Sequence, residues 1–305
     1  MKKEYVIGVD IGGTNVAVGI TDLEGNLLAS ASFPSQGKDG ELFGEIRQTA
    51  DRLMVEHGIP EEKILGVGAG VPGFTDPEKG LVTEAPALGW KDFPVGEKLR
   101  AVFPYPVAVD NDVNVATLGE QWIGHGRGKS DFIYISLGTG IGSGVVVNGK
   151  LLRGSRFSAG EIGYMVTDRH EAHFFAPTIK GYGFLESAAG GAAIGDALSD
   201  ELGRRVTAED AFRMYRNGNQ AAIGVVTGAF SHLGIAVANA ASLLDPEVIV
   251  IGGGLAKASD IILPAISRTV DHYAPNRCEI VRTALGEESG VIGAAALLLG
   301  KAERV

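Results

Sequence analysis

One local pattern is written twice in this chain, and that repetition restricts the fold more than any other feature. Tyr5 to Asp10 is a short apolar run that enters the turn Ile11-Gly12-Gly13-Thr14, leaves as Val16 to Thr21, reverses at Glu24-Gly25-Asn26 and returns as Leu27 to Phe33. Phe132 to Leu137 enters Gly138-Thr139-Gly140, leaves through Gly144 to Val147, reverses at Asn148-Gly149 and returns as Lys150-Leu151-Leu152. β-Branched runs separated by Gly- and Asn-rich turns predict hairpins, and their recurrence predicts an internal duplication. After the first copy the spacing predicts a helix over 42–56, strands over 64–69 and 106–109, and a helix over 112–122, which make a mixed αβ unit. The second half adds a helix opened by the capping sequence Thr207-Ala208-Glu209-Asp210 and a long apolar helix over 221–244 stopped at Asp245-Pro246. A strand over 248–251 and a last helix over 290–301, expected to pack back on the first half, complete it. The expected fold class is α/β, with two domains, 1–112 plus 289–305 and 113–288, and a ligand cleft between them.

Composition narrows the partners. With 27 basic against 37 acidic residues the net charge is -10, so the summed field repels nucleic acid and anionic lipid. The apolar run of Tyr5 to Val9 is too short to form a signal-peptide core or to cross a bilayer, and that of Val291 to Leu299 is far below spanning length. The single cysteine, Cys278, allows no intrachain disulfide and no multi-cysteine metal site, which suits a reducing, cytoplasmic setting.

The motifs have bland and chemical readings. Gly12-Gly13-Thr14 can be a plain hairpin turn, or a cradle whose backbone N–H groups approach an anionic phosphate while Asp10 holds hydrated Mg²⁺. Its second copy lacks an acid in the approach Ser136-Leu137, so it is equipped for phosphate alone. Gly68-Ala69-Gly70-Val71-Pro72-Gly73 fits the dinucleotide pattern, but its proline and the absence of a following helical pattern argue against that reading. Gly128-Lys129-Ser130 resembles the end of a P-loop, yet Ile123 stands where the leading glycine belongs and the segment precedes a strand. Gly252-Gly253-Gly254 is either a tight strand-to-helix turn or a close approach to a flat ring such as adenine. Asp110-Asn111-Asp112-Val113-Asn114 ends a strand and opens a helix, so its polar residues are candidate N-caps. A carboxylate there also suits a base that accepts a hydroxyl proton during phosphoryl transfer. Glu161 and Glu186 are acids among small and apolar residues, which fits sugar hydroxyls as well as solvated element ends.

Together Asp10-Ile11-Gly12-Gly13-Thr14, Gly70-Val71-Pro72-Gly73, Asn111-Asp112-Val113-Asn114, Leu137-Gly138-Thr139-Gly140-Ile141-Gly142, Gly160-Glu161-Ile162-Gly163, Leu185-Glu186 and Ile251-Gly252-Gly253-Gly254 resemble the ROK family of sugar kinases and sugar-responsive repressors. The resemblance covers nearly the whole chain. It implies an actin-like duplicated ATPase fold with ribonuclease H-like halves. It implies an ATP-dependent hexose kinase that moves the γ-phosphoryl of Mg·ATP to a sugar 6-hydroxyl, with Asp112 as catalytic base. Gly70, Pro72, Gly73, Asn111, Asp112, Glu161, Tyr164 and Glu186 are then expected at the sugar. Asp10, Gly12, Gly13, Thr14, Asn15, Gly138, Thr139, Gly140, Gly253 and Gly254 are expected at the nucleotide, with Asp10 on Mg²⁺ through water. The expected assembly is a homodimer, without nucleic-acid or membrane partners.

Two departures bear on the sugar. Many members carry a histidine after Glu-x-Gly and three cysteines before Leu-Glu, together forming a zinc site; here Tyr164 replaces the histidine and 177–184 has no cysteine. No zinc is expected, with packing by Ile179, Phe184 and Phe174 or Phe175 anchoring the loop instead, and His170 and His173 as surface residues. Ala87 stands where glucose-directed members have a sugar-contacting asparagine. Glucose or a broad hexose range is the first expectation; an amino-sugar or N-acetylhexosamine kinase (N-acetylmannosamine, N-acetylglucosamine) is the alternative. A non-catalytic sugar sensor or repressor is expected less, since Asp10 and Asp112 are both retained and no helix-turn-helix precedes the first strand.

Overall fold

The computed structural model describes residues 2–35, 39–173, 175–176 and 182–302. The chain divides into two compact units, 1–128 with 153–159 and 287–305, and 129–152 with 160–286.

The first unit opens with β1 (Tyr5–Ile11), β2 (Asn15–Asp22), β3 (Leu27–Pro34), α1 (Asp39–Glu56) and β4 (Ile64–Val71). Three short strands follow, β5 (Phe74–Asp76), β6 (Leu81–Ala85) and β7 (Trp90–Phe93), then α2 (Val95–Val102), β8 (Val107–Asn111) and α3 (Asp112–Ile123). The main sheet has the order β3-β2-β1-β4-β8, antiparallel across the hairpins and parallel across β1, β4 and β8. Its apolar core gathers Ile7, Val9, Val18, Ile46, Val67 and Leu99.

The second unit contains β9 (Phe132–Leu137), β10 (Ile141–Val147), β11 (Lys150–Leu151), α4 (Arg169–His173), α5 (Phe184–Ala189) and α6 (Gly191–Leu202). It continues with α7 (Ala208–Arg216), α8 (Gln220–Leu244), β12 (Val248–Gly252), α9 (Ser259–Tyr273) and β13 (Glu279–Arg282). Its sheet order is β11-β10-β9-β12-β13, with the same sequence of antiparallel and parallel pairings as the first. The duplication expected from the repeated hairpins is therefore present at the level of the whole sheet.

Local chemistry explains several element ends. Thr207 caps α7 reciprocally: its Oγ1 accepts from Asp210 N at 3.1 Å while Asp210 Oδ2 accepts from Thr207 N at 3.0 Å. α8 ends at Asp245, held at φ 45°, before Pro246. By length and composition α8 is apolar enough to cross a membrane, but Ala222, Val226, Phe230, Leu233 and Val237 are buried in the core of the second unit.

The last helix, α10 (Ser289–Ala302), belongs to the first unit. It lies directly on the sheet because Gly8 and Gly68, register partners on β1 and β4, have no side chains there. A Cβ at Gly8 would strike the carbonyl of Val291, and one at Gly68 the carbonyl of Ala294. α3 packs against the same helix, with Val115 beside Gly293, so the compact first unit runs on past the strand–helix corner at residue 112.

Candidate active site

In the first unit the strand register brings the candidate residues into one row. Asp10 pairs with Gly70, Gly70 with Asp110, and Val71 with Asn111, all at the carboxyl ends of parallel strands, where open α/β sheets present ligand sites. Pro72 and Gly73 follow directly. The turn between β1 and β2 is closed by Gly12 N donating to Asn15 O at 2.9 Å, and Ser35 N donates to Thr14 O at 2.8 Å. Gly13, Thr14 and Asn15 are exposed. The amides of Gly13 and Thr14 have no hydrogen-bond partner among the described residues, which leaves two adjacent donors for an anion. Ala87 packs against Gly13, so the position of the missing asparagine lies beside this turn.

The corner between β8 and α3 settles which residue is the N-cap. Asn111 Oδ1 accepts from Val113 N at 2.9 Å and Asn114 N at 3.2 Å, and Asn111 Nδ2 donates to Gly73 O at 2.9 Å. Asp112 is the first residue of α3; its Oδ1 accepts from Val113 N at 2.9 Å. Burial pushes the Asp112 carboxyl above the usual range, opposed by that amide. Asp10 has no side-chain hydrogen bond among the described residues, and burial, with the charge of Asp112 nearby, pushes it up to about 7. A half-buried carboxylate whose lone pairs are all unused, beside a second carboxylate, is an oxygen donor suited to a hard divalent cation. Asp10 therefore fits Mg²⁺ on the chemistry of the residues present.

The second unit equips its turn differently. Gly138 N donates to Gly140 O at 3.0 Å, and the carbonyls of Gly138 and Thr139 accept from Gly191 N at 2.9 Å and Ala192 N at 3.1 Å, seating the turn on the start of α6. The Thr139 and Gly140 amides have no hydrogen-bond partner among the described residues, as in the first turn. Glu186 braces the exit: Oε1 accepts from Ile141 N at 2.9 Å and Oε2 from Gly183 N at 3.4 Å. A side chain at Gly140 would collide with Glu186 Oε1, so this clamp requires glycine. Two of about four lone-pair sites on the carboxylate remain for a ligand, and burial raises its pKa against the pull of the two amides.

Glu161 precedes, and Tyr164 ends, a single 3-10 turn over Ile162–Tyr164, with Gly163 backed against Glu186. Tyr164 is 46% exposed. Gly253 lies against the backbone of Leu137 just before the second turn. Gly254 lines a cavity with Glu209, Phe212, Leu255 and Ala258.

The loop before α5 is tied by side chains from several elements. Phe184 lies 5.3 Å from Phe175 and 6.0 Å from His232, ring centre to ring centre. Thr167 Oγ1 and His232 Nδ1 share a hydrogen bond of 2.8 Å, and Glu171 approaches His232 Nε2 at 3.6 Å. Phe174 and Ile179, the other expected anchors, lie outside the described residues. No group of three His, Cys, Asp or Glu side chains positioned for a metal occurs among the described residues.

Sequence reasoning missed three contributors: His232, Arg153, which grips Asp110, and the bracing role of Glu186. Each partner is remote in sequence, so no spacing signal exists for them; only the apolar setting of Glu186 marks it as unusual.

The chain matches the ROK family over residues 6–301. It is 34% identical to a glucokinase of Halalkalibacterium halodurans, covering 96% of this chain and 94% of that protein. The ROK hexokinase of Thermus thermophilus superposes with a TM-score of 0.83 at 29% identity, covering 99% of this chain and 100% of that one. A ROK glucokinase of Streptomyces griseus, solved with glucose and AMPPNP, superposes with a TM-score of 0.81 at 26% identity, covering 96% and 98%. A match over nearly the whole length, together with the duplicated sheet and the paired glycine turns, shows that this chain belongs to the ROK family.

Proposed function

We propose that this chain, an ATP-dependent hexose kinase, uses Asp112 as the base that takes the proton of a sugar 6-hydroxyl as that oxygen accepts the γ-phosphoryl group. The observation that carries the reading is the β8–α3 corner. Asn111 performs the N-cap role, so Asp112 is retained beside it as a half-buried carboxylate on the first turn of the helix. Its raised pKa makes it a better proton acceptor than a solvated aspartate, and phosphoryl transfer asks for such an acceptor late, when the hydroxyl has become acidic. Asn111, the Gly70–Gly73 segment, Glu161, Tyr164 and the open lone pairs of Glu186 are the groups proposed for the sugar and its hydroxyls. The free amides of Gly13, Thr14, Thr139 and Gly140 receive phosphate oxygens, with Asn15 at the edge of the first turn and Gly253 and Gly254 toward the base. Mg²⁺ held through Asp10 supplies charge neutralisation at the phosphates when bound.

Glucose is the first sugar expected, with a broad hexose range next. A second reading, an amino-sugar or N-acetylhexosamine kinase, is favoured by the exposed Tyr164 and by Ala87 at the edge of the first turn. A panel of these sugars in a coupled ADP-release assay decides between them. In the same assay Asp112→Ala is expected to lower kcat by about 10³- to 10⁴-fold with sugar binding retained; surviving turnover refutes the base. The enzyme is further proposed to be a cytoplasmic homodimer without zinc. Sedimentation of the purified protein tests the assembly, cell fractionation tests the location, and one tightly held equivalent of zinc in elemental analysis overturns the last point.

A further inference from the structure

After Leu152 the chain leaves the second unit, contributes residues 153–159 to the first, and returns at Gly160. The excursion begins with Arg153, whose Nε and Nη2 both donate to Asp110 Oδ2, at 2.9 and 2.7 Å. Asp110 is 1% exposed at its side chain. Its other oxygen, Oδ1, accepts from Asn111 N at 2.8 Å and from Asn114 Nδ2 at 3.0 Å. A buried carboxylate with four donors, two of them a guanidinium fork, has one orientation available. The groups it fixes are the residue before Asp112 and a residue on the same first turn of α3. Asn111 in turn holds Gly73 O and caps the helix.

The excursion is itself closed. Ala159 N donates to Arg153 O at 3.0 Å, and Phe157 is held at φ 58°, a conformation that a bulky residue keeps only where its surroundings impose it. Arg153 is therefore the head of a closed strap, and its side-chain contact with Asp110 is no part of the strand pairing, in which Asp110 takes part through its backbone opposite Gly70.

We propose that Arg153 is a positioning residue for phosphoryl transfer: through Asp110 it fixes the β8–α3 corner and so the direction in which Asp112 presents its carboxylate. This rests on the reading of Asp112 as the base. A charged partner is required because Asp110 is buried, and a forked one because two donors on Oδ2 complete the set of four that holds both oxygens of the carboxylate.

The test compares Arg153→Met, Arg153→Lys, Asp110→Asn and the double variant R153M/D110N with Asp112→Ala, each checked by thermal unfolding and assayed for kcat and both KM values. Misdirecting a reacting group by about 1 Å costs on the order of 10²-fold. R153M is accordingly expected to lose about 10²-fold in kcat, with KM for ATP within about twofold. R153K, which keeps the charge but not the fork, is expected to fall only about tenfold below wild type with an unchanged melting temperature. The double variant is expected to be no worse than R153M, because both changes remove one interaction. A folded R153M with wild-type kcat overturns the inference, as does a loss in R153M and D110N that multiplies in the double variant. Should R153M not fold, R153K decides alone, and wild-type kcat there overturns it. An inactive D112A beside an intact R153M sinks this inference and leaves the base standing; turnover in D112A sinks both.

Discussion

The two glycine turns occupy the same place in the same sheet order, yet they use carboxylates in opposite ways. At the first, the acid ends the strand itself: Asp10 has no hydrogen bond among the described residues and is driven up to about 7 by burial and by Asp112. At the second, the matching strand position is Ser136, and the acid comes from elsewhere. Glu186, on α5, binds the amide that leaves the turn and braces its shape. One half keeps a strained carboxylate available for a ligand; the other consumes much of its carboxylate in holding the cradle rigid. The same turn thus occurs twice in the same sheet order, with an unpartnered carboxylate at the first copy and a bracing one at the second.

Asp10→Asn is the most severe way to break that contrast. Loss of the cation donor is expected to lower kcat by about 10²- to 10³-fold in the ADP-release assay at saturating Mg²⁺. Stability should move the other way. An aspartate titrates near 3.9 when unfolded and at about 7 here, so the folded state binds this proton more tightly than the unfolded one. Its ionisation therefore opposes folding at pH above 7, and the penalty fades as pH falls through 7 toward 4. Removing the charge should stabilise the ligand-free protein at pH 8, by on the order of 4 kcal/mol, and change little at pH 4. Equal melting temperatures of D10N and wild type at pH 8 would show that Asp10 is not held as a charge in waiting.

A smaller effect sharpens the other side. Glu186→Ala removes the brace on Ile141 N and on the start of α5, so the second turn should loosen and KM for ATP should rise about tenfold, with stability lower by about 1–2 kcal/mol. KM for the sugar should rise as well if its open lone pairs meet a hydroxyl. The two constants separate the roles: a rise for sugar with an unchanged KM for ATP would leave Glu186 as a sugar ligand and remove the brace.

These contrasts were unequally legible in the sequence. The hairpins and their repetition were readable because strand alternation and Gly or Asn turns are local signals, and α8 because a long apolar run has few other uses. β5 to β7 were not: strands of three to five residues carry too little periodicity, and the stacking of Trp90 and Phe93 against Phe43 of α1 appears only on folding. The β8–α3 corner showed three candidate caps, and neighbouring residues with similar side chains cannot be ranked without the backbone. The pairs Arg153–Asp110 and Glu186–Ile141 join residues 43 and 45 positions apart, a separation set by topology rather than by any spacing rule. The chemistry of the turns was written locally; what aims them was not.

The smallest predicted effect concerns how each half secures its insertion. The first unit holds β5 to β7 by strand pairing and stacked rings. The second ties the segment around Thr167 and Glu171 to α8 through His232, which meets Thr167 Oγ1 at 2.8 Å and the ring of Phe184 edge-on. A neutral hydrogen bond of that kind contributes about 1 kcal/mol, and the ring contact a similar amount. Glu161 and Tyr164 precede this segment directly, so a looser tether should be felt at the sugar and not at the phosphates. His232→Ala is expected to raise KM for the sugar about threefold, leave KM for ATP and kcat unchanged, and lower stability by about 1–2 kcal/mol. His232→Gln, which restores a polar partner for Thr167 without the ring, should recover part of the stability. If H232A instead lowers kcat while both KM values hold, the segment serves the chemical step, and the division between a sugar-holding loop and a phosphate-holding turn fails.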